Sequence, residues 1–279
     1  MFKSLLRSNL VSSEEAGMHV IAAVKCLSLL AYATKTLPTE LFYAQMESLD
    51  FKTEYKSWNR QDFCYFNFPF LFDATAKARI IHIDAMHQMS KQYEDAHACQ
   101  ALMQKAKQLL DHSKAHDLQK GMKAQANPYL ILQLRREALV SDLFAQLPGL
   151  KSDFKKPLKV QFVGSGEEGM DQGGVQKEFF KVAVQQLLDP IYGMFESDSE
   201  TRFSWFCSSC LEKEEPFELF GNLTGLALYN GVMLGINFPP IMYKKLLDEK
   251  INLQDFALSF PVLATYLVSR EGVPSSAGL

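Results

Sequence analysis

Two cysteines separated by two serines, Cys207-Ser-Ser-Cys210, are among the residues that could do chemistry in this sequence of 279 residues, although a single CxxC is a weak signal. A CxxC pair can hold half of a zinc site or form a redox couple. No second CxxC and no Cys/His pair at ligand spacing follows it. His112 and His116 are one helical turn apart, without a neighbouring Glu or a third ligand. The spacing of these residues therefore predicts no metal site. His112 and His116 are predicted to be solvated histidines on a helix.

The segment Gly164-Ser-Gly-Glu-Glu-Gly169 matches the GxGxxG pattern of dinucleotide-binding loops, follows a predicted strand and precedes Asp189 by about twenty residues. Its two glutamates would place negative charge beside a pyrophosphate, which is unfavourable. Asp189 follows a helical pattern, and no repeating βαβ units surround the motif. A nucleotide-binding oxidoreductase is thus a disfavoured hypothesis, and we expect a glycine turn and no cofactor. The sequence also has no GxSxG, GxxxxGKS/T or HExxH pattern, so generic motifs identify no catalytic centre.

Composition is typical of an ordinary globular protein. The chain has 29 Lys and Arg against 32 Asp and Glu, a net charge of −3, with 22% charged and 47% hydrophobic residues. This balance favours neither disorder nor a protein that coats nucleic acid. Five cysteines are an odd number and too few for a disulfide framework. We therefore expect a reducing compartment, cytoplasmic or nuclear, and no nucleic-acid partner.

Two segments raise the question of targeting or membrane insertion. The first thirteen residues are basic and free of acids, as in a transit peptide, but they also fit the start of a helix, which we favour. Residues 217–236 are almost long enough to span a bilayer and include the pair Gly221 and Gly225 at GxxxG spacing. Polar residues within this stretch, among them Glu218 and Asn230, argue against insertion. We expect a buried helix whose glycines allow close packing, and no membrane partner.

Hydrophobic periodicity predicts a fold that is mostly α with minor β (α+β). Apolar residues recur at helical spacing in residues 14–33, from Asp73 to His112, from Pro128 to Leu147 and over 175–188. Period-two alternation predicts a strand over 158–163, and an aromatic run predicts a short strand over 202–207. Residues 38–69 are rich in aromatic residues and read as short helices and an irregular wrap whose rings are mostly buried. The apolar face of 175–188 is predicted to be core: Phe179, Phe180, Val184 and Leu188.

Several longer strings occur in an informative order along residues 41–267. They are FPFLFDATAKAR from Phe68, IDAMHQM from Ile83, NPYLILQLRRE from Asn127, VQFVG from Val160, GMDQGGVQKEFF from Gly169, DPIYGMF from Asp189, GLALYN from Gly225 and NFPPIMYKKLL from Asn237. Together they resemble the N-terminal lobe of a HECT-type E3 ubiquitin ligase, most closely the E6-associated-protein-like class. The resemblance implies a helical lobe with short strands, preceded by a helical extension over residues 1–40.

In that family the N-terminal lobe recruits the ubiquitin-charged E2 enzyme, and a C-terminal lobe carries the cysteine that accepts ubiquitin. The stretch from Phe260 resembles the start of the E2-docking helix, where Leu263 and Leu267 match apolar contact positions and Tyr266 and Arg270 depart from the pattern. The glycine turn is two residues longer than the family norm, through Ser165 and Gly166. Residues 268–279 are small and polar and are predicted to be an unstructured, divergent tail.

The resemblance implies a HECT-type ubiquitin transferase whose partners are an E2 enzyme, ubiquitin and a protein substrate. The family cysteine lies in a Thr-Cys-Phe context, which none of Cys26, Cys64, Cys99, Cys207 and Cys210 has. We therefore expect a chain truncated before the C-terminal lobe, with no catalytic residue and unable to form the ubiquitin thioester alone. The alternative is a non-catalytic module that binds E2, ubiquitin or substrate and competes with a full-length ligase.

Overall fold

A computed structural model describes residues 13–33, 39–45, 49–60, 62–109, 116, 120, 122, 125–164, 174–210 and 213–271. The chain divides into two compact units. Unit 1 comprises Met1–Leu130, Ser152–Pro157 and Tyr229–Gly231, and unit 2 comprises Ile131–Lys151, Leu158–Leu228 and Val232–Leu279. The described residues are mainly helical and include two small sheets of two strands each. The predicted class, mostly α with minor β, is confirmed.

Helices and strands follow one another along the chain with short 3-10 helices between them. The helices are α1 (Met18–Ala33), α2 (Phe51–Asn59), α3 (Ala74–Leu109), α4 (Leu139–Gln146), α5 (Gly174–Leu187), α6 (Glu214–Tyr229), α7 (Pro240–Leu246), α8 (Leu253–Ser259) and α9 (Pro261–Glu271). The strands are β1 (Leu130–Leu134), β2 (Leu158–Phe162), β3 (Phe195–Ser197) and β4 (Ser204–Phe206). The 3-10 helices include Ser13–Glu15, Tyr65–Asn67, Arg136–Ala138 and Leu147–Asp153.

The core of unit 1 joins α1 to the aromatic segment that the sequence singled out. Val24 and Leu27 of α1 are buried with Phe51, Tyr65 and Phe72. The rings of Phe66 and Phe72 meet edge to face, with centroids 5.8 Å apart, so aromatic packing fills this core. The long helix predicted from Asp73 is confirmed as α3: Asp73 caps it by accepting a hydrogen bond on Oδ1 from the Ala76 amide at 2.7 Å.

The helix predicted from Pro128 to Leu147 is wrong over its first half. Leu130, Leu132 and Leu134 are all fully buried and alternate with more exposed residues, which is the period of strand β1. The Leu130 amide donates to the Pro157 carbonyl at 3.0 Å, and the Val163 amide donates to the Leu134 carbonyl at 2.9 Å. These bonds place β1 beside β2, whose predicted position is confirmed. Pairing with a distant segment therefore overrides the local helical reading, and the helix α4 begins only at Leu139.

Unit 2 contains the predicted helix α5 and a hairpin of which the sequence indicated only one strand. Phe179, Phe180 and Val184 of α5 are buried, as expected for its apolar face. Strand β4 pairs antiparallel with β3, and Phe195 faces Phe206 across the pair with ring centroids 5.3 Å apart. Strand β3 has three residues, which is too short for a period-two signal to predict it.

The buried helix predicted over 217–236 is shorter than expected at its end. Helix α6 ends at Tyr229, because Gly231 adopts φ +68° and the Val232 amide bonds the Ala227 carbonyl at 2.8 Å. This is a Schellman cap, which a left-handed glycine favours. Gly221 and Gly225 are exposed, and a Cβ built on either meets no described atom within 4 Å, so the expected close packing at these glycines is wrong. None of the described helices has the length and apolar content needed to cross a membrane.

Candidate functional site

The last three helices of unit 2 and the segments next to them expose a set of large apolar side chains. We call it the apolar face, and its members lie on α7, α8 and α9 or on the segments next to them. Their exposed fractions run from 44% at Leu267 to 71% at Leu246. The members are Tyr243, Leu246, Leu247, Leu253, Leu258, Val262, Leu263, Tyr266 and Leu267. So many exposed large apolar side chains on adjacent helices are typical of an interaction surface.

Polar contacts fix the start of helix α8, which carries two members of the apolar face. Asn252 and Asp255 form a capping box: the Asp255 amide donates to Asn252 Oδ1 at 2.8 Å, and the Asn252 amide donates to Asp255 Oδ2 at 3.1 Å. Lys244 Nζ of α7 donates to Asp255 Oδ1 at 2.6 Å. The Lys244 ammonium, followed by the Asn252 amide, lowers the pKa of Asp255 below its ordinary value. One carboxylate thus starts α8 and ties it to α7.

Helix α9 begins directly after α8 because Phe260 leaves the helical conformation, with φ −138° and ψ 68°, and Pro261 takes the first position of the next helix. Leu263 and Leu267 lie one turn apart on α9 with exposed fractions of 55% and 44%. Tyr266, at 54%, adds a third exposed apolar side chain. Helix α9 runs to Glu271, beyond the boundary predicted at Leu267, and residues 272–279 lie outside the described part of the chain.

A cleft of about 650 Å³ opens beside Leu263. Trp205 of β4 forms one wall, where its ring meets Phe260 edge to face at 5.3 Å, and Phe256 continues the wall at 5.4 Å from Phe260. Glu196 and Asp198 of the β3–β4 hairpin line the cleft on the acidic side. Lys245 of α7 also lines the cleft, which therefore combines an aromatic wall with two carboxylates and one ammonium group. Its apolar wall can accept an apolar side chain of a partner.

The acidic side of the cleft is held by a turn. Asp198 Oδ1 accepts hydrogen bonds from the amides of Thr201 at 2.7 Å and Glu200 at 3.0 Å. The Thr201 amide and hydroxyl, which favour the charged form, lower the pKa of Asp198. The Asn237 amide nitrogen Nδ2 donates to the Arg202 carbonyl at 3.0 Å and anchors the end of the turn. These contacts hold the turn that carries the acidic side of the cleft.

The sequence indicated Leu263 and Leu267 but not the aromatic wall of the cleft. Trp205, Phe256 and Phe260 belong to a hairpin and to the α8–α9 junction, and only the tertiary fold brings them together. The signal available was the aromatic pair Trp205 and Phe206 in the short strand predicted over 202–207.

The other sequence motifs lie elsewhere. Cys207 and Cys210 are in a turn after β4. Of the GxGxxG segment only Gly164, at φ +94°, is among the described residues, and His112 also falls outside them. Arg136 pairs with Glu178 of α5 and stacks its guanidinium over Phe162 at 4.2 Å, so this charged pair joins neighbouring elements of unit 2. The described residues contain no group of three His, Cys, Asp or Glu side chains that could hold a metal ion.

The family model of the HECT domain, described as a ubiquitin transferase, matches residues 181–270, which include the hairpin, the cleft and the apolar face. This chain contains part of a HECT domain. It is 39% identical over 195 residues to the human protein named Probable E3 ubiquitin-protein ligase HERC4, an alignment that covers 70% of this chain and 17% of that protein. It is 33% identical over 240 residues to human Probable E3 ubiquitin-protein ligase HECTD2, covering 82% of this chain and 29% of that protein.

A fission yeast relative, Probable E3 ubiquitin-protein ligase mug30, is 29% identical over 219 residues, which cover 77% of this chain and 24% of that protein. The chain thus spans well under a third of the length of these curated relatives. The resemblance to HECT-type ligases that the ordered strings indicated is confirmed.

Proposed function

We propose that this chain supplies the E2-docking part of a HECT-type E3 ubiquitin-protein ligase. The apolar face on α9, where Leu263 and Leu267 stand half-exposed one turn apart, is the observation that carries the proposal. The HECT match over 181–270 supports it, because it includes this helix. The names of the relatives support ligase activity for the whole proteins to which such a domain belongs.

The surface has the physical character that docking requires. Each of the two leucines keeps about half of its side chain in water, and a partner that covered both would gain about 1 kcal/mol or more from each. Leu263 also borders the cleft, so a partner side chain inserted beside it would touch Trp205 or Phe260. Burial of apolar anchors in such a pocket is the usual source of interface affinity.

The test compares the double variant Leu263→Ser, Leu267→Ser with Leu109→Ser, a matched change of an exposed leucine on α3 in unit 1. Binding of a ubiquitin-loaded E2 enzyme is measured by biolayer interferometry over a panel of E2 enzymes. The double variant is expected to weaken binding by about tenfold to a hundredfold, since two anchors lose their burial. Equal affinity for the double variant and Leu109→Ser would contradict the assignment of this surface.

We further propose that residues 1–279 cannot form the ubiquitin thioester by themselves. A thioester step requires a reactive thiolate. Cys64 is buried, and this burial raises the pKa of its thiol to about 12, which disfavours the thiolate. None of the five cysteines has the context of the family's acceptor. Incubation with ubiquitin-charged E2, followed by non-reducing and reducing gels, is expected to give no adduct; a reduction-sensitive adduct lost in one Cys→Ala variant would overturn this.

The absence of a family-context cysteine, together with an exposed docking surface, favours a second candidate function, a module that binds E2 without transferring ubiquitin. Added to a ubiquitination reaction of an active HECT ligase, the chain is then expected to inhibit in proportion to its E2 affinity. The Leu263→Ser, Leu267→Ser variant should lose this inhibition and Leu109→Ser should keep it. Inhibition that both variants retain would point to another surface.

A further inference from the structure

The CxxC segment folds into a hydrogen-bonded turn directly after strand β4. The Cys210 amide donates to the Cys207 carbonyl at 3.3 Å, with Ser208 and Ser209 at the two central positions. A turn of this kind brings its first and last Cα atoms within about 7 Å. Disulfides join residues whose Cα atoms are about 4.4–6.8 Å apart. The backbone therefore already holds the two cysteines at a separation compatible with a disulfide, while both are free thiols.

The turn is anchored on one side and accessible on the other. The Cys207 amide donates to the Met194 carbonyl at 3.0 Å, which fixes the first cysteine beside β3. Cys207 Sγ lies 3.4 Å from Ser209 Oγ, a hydroxyl placed to donate to the sulfur once it is ionised. Both cysteines are partly exposed, so a small disulfide reagent can reach them. Cys64 and Cys99 are buried, and Cys26 is exposed on α1 without a CxxC partner.

We infer that Cys207 and Cys210 form a redox modification site that closes reversibly to an intrachain disulfide by exchange with a low-molecular-weight disulfide such as glutathione disulfide. The thiolate of one cysteine attacks a glutathione sulfur, forms a mixed disulfide and expels one glutathione thiolate. The thiolate of the other cysteine then attacks the protein sulfur of that mixed disulfide and expels the second glutathione. Two protein thiols are oxidised, one glutathione disulfide is reduced to two glutathiones, and the thiol protons remain with the glutathione or the solvent.

The turn directly follows the β3–β4 hairpin, whose aromatic rings pack in unit 2, so oxidation of the two cysteines would act on the end of the hairpin. Phe206, the residue before Cys207, packs against Phe195 at 5.3 Å and Phe217 at 5.8 Å. Trp205, one residue earlier, forms the wall of the cleft. A disulfide across the turn would fix the exit of β4 next to these rings.

The experiment equilibrates the full chain in glutathione redox buffers containing a metal chelator, quenches it with acid and maps the cysteines by peptide mass spectrometry. Formation of the intrachain disulfide consumes one glutathione disulfide and releases two glutathiones. The ratio of disulfide to dithiol protein therefore depends on the concentration of glutathione disulfide divided by the square of the glutathione concentration. Tenfold dilution of total glutathione, at a fixed ratio of its oxidised to its reduced form, raises this protein ratio tenfold. A mixed disulfide does not respond to that dilution. The expected product is a 207–210 peptide lighter by two hydrogen atoms.

In the variant Cys210→Ser, oxidation is expected to end at a mixed disulfide between Cys207 and glutathione, and the amount of this adduct should not change on dilution. The control variant Cys26→Ser should form the 207–210 disulfide as the natural chain does. Wild-type chain that shows only mixed disulfides, or a disulfide that includes Cys26, would overturn the inference. The inference would also be overturned if Cys207 and Cys210 stayed reduced while Cys26 was glutathionylated in the same sample. These outcomes do not depend on E2 binding, so the redox site and the docking proposal fail separately.

Discussion

Glu54 shows how one residue joins segments that are far apart in the chain of unit 1. Its side chain is fully buried in α2, and its carboxylate accepts hydrogen bonds from the Ser13 amide at 2.6 Å and the Tyr65 amide at 3.3 Å. Burial, together with the negative charge of Glu54, raises the pKa values of Cys64 and Tyr65 to about 12 each. The carboxylate therefore pairs amides that would otherwise be buried without acceptors.

We predict that Glu54→Ala lowers the free energy of unfolding by about 2–5 kcal/mol, because each buried donor left without an acceptor costs about 1–3 kcal/mol. Glu54→Gln should cost less, since its amide oxygen still accepts. Only two tryptophans are present, Trp58 in unit 1 and Trp205 in unit 2, so urea unfolding is followed by Trp58 fluorescence in a Trp205→Phe background. Glu94→Ala, at an exposed glutamate of α3 in unit 1, is the control. A midpoint for Glu54→Ala equal to that control would contradict the role of Glu54.

The end of helix α6 is decided by one glycine rather than by its apolar pattern. Gly231 has φ +68°, and a Cβ there would lie 4.0 Å from His82 Nδ1, an ordinary contact. We therefore predict that Gly231→Ala costs about 1 kcal/mol, which is conformational strain and not a clash. Gly235→Ala is the matched control, because Gly235 has no positive φ and open space at its Cβ. The midpoints of urea unfolding are measured for both variants. Equal midpoints for Gly231→Ala and Gly235→Ala would exclude the glycine cap as the cause of the helix end.

The ion pair between α7 and α8 predicts a pH dependence. Lys244 lowers the pKa of Asp255 in the folded chain, so the stability that this carboxylate contributes is present above its unfolded pKa of about 3.9. That stability is lost as the pH falls through the lower, folded pKa. Asp255→Asn keeps the shape and removes the charge, so it should be less stable than the natural chain at pH 7 and converge with it in acid. Asp95→Asn, an exposed change on α3, should leave the pH profile unaltered.

The elements that could be predicted are those whose burial follows a local period. The stripe through Val24 and Leu27 and the apolar face of α5 belong to this class. Strand β1 could not be predicted, because Leu130 to Leu134 satisfy a helical spacing as well, and only pairing with β2 decides between them. The cleft wall at Trp205 and Phe260 likewise arises from contacts between distant segments. Leu263 and Leu267 were found through resemblance to a family and not through their period.

The whole molecule combines a large set of exposed apolar side chains with a small net charge. The net charge is only −3 over 279 residues, so like-charged copies repel one another little. Leu246 and Leu247 are exposed to 71% and 70%. Exposed apolar surface drives association in water.

We predict that the chain associates as its concentration rises, and that Leu246→Ser, Leu247→Ser shifts the monomer fraction upward in sedimentation velocity. Added salt should not dissolve the associates, because apolar burial and not ion pairing holds them together. Leu109→Ser, which alters an exposed leucine in unit 1, is the control and should change little. An E2 enzyme that docks on this surface should compete with self-association. Association that salt abolishes, or that Leu109→Ser reduces as strongly, would assign it to surfaces other than the apolar face.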